Sequence, residues 1–114
     1  MRRVLALALL LAGCGQAVPP APTPEQAQAL RPADEKIAAL YEGSCKACHA
    51  TPGSGAPQVQ DRKAWDPRWK QGLPTLVDHT IQGHGAMPAL GQCVACTPDD
   101  FRRLIVFMAG REGQ

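Results

Sequence analysis

The chain has 114 residues, enough for one domain, and its 12 Lys+Arg against 10 Asp+Glu give a formal charge of +2. That balance excludes a nucleic-acid binder built on a strongly basic face. With only two Trp, one Tyr and two Phe, the available core is thin for a chain of this size, and small domains of that kind usually need a staple or a cofactor.

The N-terminus reads Met1-Arg2-Arg3 and then an apolar run from Val4 to Ala12. A bilayer span needs roughly 20 apolar residues, so this run is too short to be one. A basic start, a short apolar middle and small residues after it describe a secretory signal. The run closes on Leu11-Ala12-Gly13-Cys14, which resembles the bacterial lipobox. The alternative is an ordinary signal with a stray cysteine. On the lipobox reading residues 1–13 are a removed leader, Cys14 carries lipid, and 101 residues remain (114 − 13). The expected location is the periplasmic side of a bacterial membrane, lipid-anchored. Such a compartment permits disulfides and covalent haem.

Residues 14–33 read as a lipidated cysteine and a Pro-rich tether, extended and exposed, and residues 34–114 as the folded domain. Ile37, Leu40, Tyr41, Ser44 and Cys45 form one helical stripe that runs into the cysteine motif. Thr51 to Gln60 is loop by its Gly and Pro content. Trp65 and Trp69 are four apart, a helical spacing, with Asp66-Pro67 as a potential helix start. Leu73, Leu76, Val77, Thr80 and Ile81 make a further stripe closed by Gly83. After a Gly-rich loop, Thr97-Pro98-Asp99-Asp100 opens a last helix with Phe101, Leu104, Ile105 and Met108 inward. No segment alternates with period two. The predicted class is all-α, with about four short helices.

Cys45-Lys46-Ala47-Cys48-His49 carries the chemistry. Cys-x-x-Cys-His is the attachment signature for c-type haem. Two thiols one helical turn apart can add across the two vinyl groups of one porphyrin edge. The adjacent imidazole can then bind the iron from the proximal side. A rival is zinc held by two CxxC pairs, Cys45/Cys48 and Cys93/Cys96. A thioredoxin-like dithiol would need a βαβ setting that the sequence lacks. For the second iron position the downstream candidates are His79, His84, Met87 and Met108. Met87 sits in a Gly-rich loop before Pro88, which fixes the loop's path. His84 keeps bis-His ligation open. An open sixth site would make a haem enzyme or sensor acting on peroxide or a small ligand.

With "CKACH", "GAP", "GAMP" and "CVAC" in this order, residues 34–110 resemble the bacterial cytochrome c5-type class I cytochromes c. The resemblance implies a compact helical fold around one covalent haem c, with Cys45 and Cys48 as thioether anchors and His49 and Met87 as axial ligands. It implies that the Pro57 carbonyl accepts from His49 Nδ1, and that Cys93 and Cys96 form a disulfide. The ring such a disulfide closes is small, worth about 2 kcal/mol on a loop-entropy model. The implied function is single-electron transfer between redox protein partners, by a monomer and without catalysis. Three positions depart from the family pattern: Gln60 where glycine is usual, His84 where lysine is often found, and Ala89 where a second proline is common. Arg62, Lys63, Arg68 and Lys70 form a local basic cluster. It reads as a solvated helix face or as a surface that orients a partner.

Overall fold

The computed structural model describes Gly15 and residues 17–114. The leader and Cys14 lie outside those residues. Among the described residues there is no strand, only an isolated bridge between His84 and Met87. No helix among them is long and apolar enough to cross a membrane.

The Pro-rich segment is not extended throughout. Helix α1 (Pro24–Ala29) interrupts it, and the reason is local. Thr23 Oγ1 accepts from Gln26 N at 3.2 Å while Thr23 N donates to Gln26 Oε1 at 2.9 Å, a reciprocal capping box. Pro24 occupies the first helical position, where its missing N–H is no loss. The helix folds back on the domain: Ala27 is buried, and Gln28 Nε2 donates to Ala50 O at 2.7 Å. Residues 17–23 have no regular secondary structure.

Helix α2 (Glu35–Leu40) starts at Asp34, whose carboxylate accepts from Ile37 N at 3.0 Å. It passes through a π-helical turn (Tyr41–Cys45) into α3 (Lys46–His49). Ser44 Oγ donates to Leu40 O at 2.6 Å, and Lys46 N donates back to Tyr41 O, five residues earlier. A hydroxyl competing for a helical carbonyl favours such a widened turn, and π-turns recur at functional sites. Here the turn delivers Cys45.

Helix α4 (Arg62–Trp69) begins earlier than the Asp66-Pro67 pair suggests. Asp61 is the cap, accepting from Lys63 N at 3.1 Å and Ala64 N at 3.4 Å. Pro67 lies inside the helix, in its last turn. Asp66 serves as an ionic hub, bonded by Arg62 Nε and by Arg111 Nη2 from the C-terminal end, both at 2.7 Å. Helix α5 (Leu73–Gln82) ends at Gly83 as expected. A 3₁₀ turn (Ala89–Gln92) leads to the Cys93–Cys96 disulfide. Helix α6 (Pro98–Met108) opens on a second capping box, Thr97 with Asp100.

Helix α6 is the centre of the core. Phe101, Leu104, Ile105, Phe107 and Met108 are buried on it. Phe107 meets Tyr41 edge to face, with centroids 4.9 Å apart and planes at 77°. Such a pair is worth about 0.5–1.5 kcal/mol beyond the area it buries. The Tyr41 hydroxyl has no hydrogen-bond partner, and burial pushes its pKa up to about 12. Gln60 has φ of 58°, a left-handed conformation, and its N donates to Met108 O at 2.6 Å. Glycine is the residue that adopts such a φ without strain.

Asp100 is buried at the start of α6, where it accepts from Lys36 Nζ at 2.7 Å and Thr97 N at 3.0 Å. Those two donors, Lys36 first, lower its pKa from 3.8 to about 2. A depressed folded pKa contributes stability that is fully present above about pH 4 and lost as pH falls toward 2. Asp100→Asn should therefore lower the melting temperature at pH 7 and flatten its decline between pH 4 and 2. Thermal unfolding across that pH range checks this; parallel curves for both proteins would contradict it.

Candidate cofactor site

Cys45 ends the π-turn, and Cys48 and His49 follow on α3. Three residues apart on a helix, the two thiols share one face. Both are free thiols; Cys45 is half-buried and Cys48 exposed. Burial pushes the Cys45 thiol pKa up, and Ser44, whose Oγ lies 3.7 Å from the sulfur, partly offsets this.

His49 is buried, and its Nδ1 lies 2.8 Å from Pro57 O. A carbonyl can only accept, so Nδ1 carries the proton and Nε2 keeps its lone pair. Burial lowers the His49 pKa, against the opposing effect of the Pro57 carbonyl. The ring stacks near Trp65, centroids 5.9 Å apart at 30°, and the Trp65 indole donates to Gln58 O at 2.8 Å. The loop after His49 is stapled to it: Val59 N donates to His49 O at 2.7 Å and Ser54 Oγ to Cys48 O at 2.6 Å.

Met87 lies on a tight turn closed by two reciprocal bonds with His84, each 3.0 Å. Gly83 and Gly91 fit this turn closely. A Cβ on Gly83 would sit 3.0 Å from Ala89 N and 3.2 Å from Met87 O, and one on Gly91 would sit 3.1 Å from Met87 Cε. His84 is exposed and stacks on His79, rings 4.0 Å apart and nearly parallel. Met108, read from the sequence as core, is buried as expected and also lines the site.

These residues converge. Cys45, Cys48, His49, Pro57 and Met87 all line one cavity of about 850 Å³, with Trp65, Leu76, Ile105 and Met108 among its apolar walls. Ligand pockets span about 300–1,000 Å³, so the space suits a large flat ligand. The donor set suits haem: two thiols at attachment spacing, a neutral imidazole with a free Nε2, and a thioether. It suits zinc poorly, because Cys93 and Cys96 are bonded to each other and not directed to Cys45 and Cys48. Among the described residues no group of three or more His, Cys, Asp or Glu could hold a metal ion.

A family model described as cytochrome c oxidase, cbb3-type, subunit III matches residues 32–108. The chain belongs to the class I c-type cytochromes. Cytochrome c-555 of Chlorobaculum tepidum is 40% identical over 77 residues, covering 64% of this chain and 71% of that protein. Cytochrome c5 of Ectopseudomonas mendocina is 38% identical over 82 residues, covering 70% and 90%. A chain in the crystal structure of an electron-transfer complex of nitrite reductase with cytochrome c aligns with a TM-score of 0.60 and 32% identity, covering 68% of this chain and 95% of that one. This c-type cytochrome therefore carries covalent haem c, with Cys45 and Cys48 fitting the attachment site, and acts as an electron carrier and not as an enzyme.

Sequence reasoning missed several contacts around the cytochrome site. Gln28 holds the carbonyl next to His49 from a segment read as tether. The His79–His84 stack joins a helix residue to a loop residue, which no spacing rule signals. Within the basic cluster Arg62 is half-buried and paired with Asp66, whereas Lys63, Arg68 and Lys70 are exposed, Arg68 also donating from Nη1 to Ala64 O at 2.6 Å.

The close approach at Gly83 yields a test. Gly83→Ala adds a backbone collision to a φ of +85°, whereas Gly53→Ala has a φ of +82° with nothing within 4 Å. Both should lose about 1 kcal/mol to backbone strain, and Gly83→Ala about 1–3 kcal/mol more as the Met87 turn shifts. Equal melting temperatures would show that the approach is inconsequential.

Proposed function

We propose that this cytochrome is a membrane-tethered monomer that moves single electrons between extracytoplasmic redox proteins. Cys45 and Cys48 would hold the haem through their sulfurs, and His49 Nε2 and Met87 Sδ would be the donors to its iron. When bound, the haem supplies an iron that exchanges one electron between ferrous and ferric states. The protein's part would be to hold the His49 and Met87 donor atoms fixed. Pro57 orients the His49 ring and strengthens Nε2 as a donor through Nδ1. The turn closed by His84 and Met87 limits the thioether's movement. A neutral thioether favours the ferrous state relative to a second nitrogen. The disulfide stiffens the link between that turn and α6.

Cys14, lipidated after removal of residues 1–13, anchors the chain on the periplasmic side of a bacterial membrane. Because α1 is folded onto the domain, the tether is residues 15–23. At about 3.1 Å per residue it reaches roughly 28 Å. The structural neighbour comes from a complex with nitrite reductase, which supports a redox protein as partner.

The observation that carries this reading is the buried His49, its Nδ1 engaged by Pro57 and its ring on the wall of the same cavity as Met87. Expressed with haem-attachment machinery, the chain should fractionate with membranes and stay red through acid-acetone extraction. The oxidised protein should show a weak band in the red that Met87→Ala abolishes. A colourless chain, or a band that survives the substitution, would contradict the assignment.

A further inference from the structure

Helix α1 lies wholly before residues 32–108, the part that matches the family model, yet it is folded onto the domain. Ala27 is buried, Leu30 packs against the core and Pro32 is buried. Just beyond α1, Arg31 bonds Glu35 at 2.7 Å and Glu42 at 3.2 Å. Glu42 belongs to the π-turn that bears Cys45. Gln28 bonds the carbonyl of Ala50, immediately after His49. The segment from Gln28 to Arg31 therefore holds the Cys45–His49 unit from both ends.

The two holds differ in weight. The side chains of Arg31 and Glu42 are 42% and 45% exposed, and an ion pair so open to water contributes little. Ala50 is fully buried, and among the described residues its carbonyl has one donor, Gln28 Nε2 at 2.7 Å. A buried carbonyl left without a partner loses its hydration with nothing in exchange. The two preceding carbonyls are held by the adjoining loop: Cys48 O by Thr51 N, Ser54 Oγ and Gln58 Nε2, and His49 O by Val59 N. Of the donors to these three carbonyls, only Gln28 comes from beyond residues 45–60. Ala50 is the cap that ends α3, and a shift there turns the peptide that joins it to His49. The bond from His49 Nδ1 to Pro57 O, 2.8 Å long, would feel that turn directly.

We propose that Gln28 is a positioning residue for His49, holding the Ala50 carbonyl so that the His49 ring keeps its bond to Pro57, and that α1 thereby tunes the iron from outside the matched domain. The inference rests on the reading of His49 as a donor to the haem iron. The carbonyl can only accept, so the Gln28 amide must present its NH₂ group to it. Glutamate at this position has the same shape but no donor at neutral pH, and it sets a carboxylate against a carbonyl. Loosening the Nδ1 bond makes Nε2 a weaker donor, and a weaker donor favours the ferrous state. It also opens the Nδ1 proton to solvent.

Two readouts on the full haem-loaded chain test this: solvent exchange of the His49 Nδ1 proton, followed by NMR in the ferrous protein, and the ferrous-to-ferric ratio at a fixed applied potential. Gln28→Glu should speed the exchange about tenfold and raise the ratio about threefold. Gln28→Ala, where water can take up the carbonyl, should move both the same way by a smaller factor. Gln28→Lys restores a donor and should stay within about twofold of wild type in both. Arg31→Ala removes only the exposed ion pair and should do the same. A lower melting temperature in Gln28→Glu with exchange and ratio unchanged would overturn the proposal, leaving α1 a structural addition. So would equal changes in Arg31→Ala, or a ratio that falls. Each of those results leaves the electron-carrier reading intact, whereas a colourless wild-type preparation would overturn that reading itself.

Discussion

The hydrogen bond from His49 Nδ1 to the Pro57 carbonyl is the constraint on which the site depends. It fixes the tautomer, and so leaves Nε2 as the donor atom. It also closes the loop of residues 51–60 back onto the short helix that bears both cysteines. Val59, Ser54 and Gln58 add bonds to the carbonyls of His49 and Cys48, so the end of α3 is satisfied by its own loop. Gln28 satisfies the next carbonyl from outside. A helix of four residues has almost no stability of its own. These contacts, together with the packing of the preceding helix on α6, hold the Cys45–His49 unit in place.

The remaining elements support that unit from the other side. Helix α6 supplies the buried apolar face, and α4 is tied to the C-terminal end through Asp66 and Arg111. Arg111 also lies over the Trp69 ring at 5.5 Å. Helix α5 and the Met87 turn complete the wall. The cavity in the middle is bounded by side chains that would otherwise be core, Leu76, Ile105 and Met108 among them. That is the physical meaning of a thin aromatic inventory: the space a larger core would fill is reserved for the macrocycle.

Much of this was legible in the sequence because the deciding signals are short and local. The CKACH run, the Thr97-Pro98 cap and the stripe Phe101, Leu104, Ile105, Met108 each carry their reason within a few residues. The Pro-rich segment misled because composition was weighed over position. Thr23-Pro24-Glu25-Gln26 is a capping box with proline where a helix tolerates it. Asp66-Pro67 misled in the opposite sense, since a plausible cap was already supplied by Asp61 five residues earlier. Contacts between distant segments, such as Gln28 with Ala50 or Asp66 with Arg111, leave no pattern in one chain. Gln60 was noticeable only as a departure from glycine, and its positive φ gives the reason that glycine is usual there.

The central claim is that this fold is organised around a ligand held through Cys45 and Cys48 in the middle of its core. The direct measurement is thermal unfolding of Cys45→Ala/Cys48→Ala, followed by near-ultraviolet circular dichroism at Trp65 and Trp69. The account predicts a weak aromatic signal and no cooperative transition, because the cavity walls then lack their central partner. A cooperative transition at the temperature of the intact protein would contradict it.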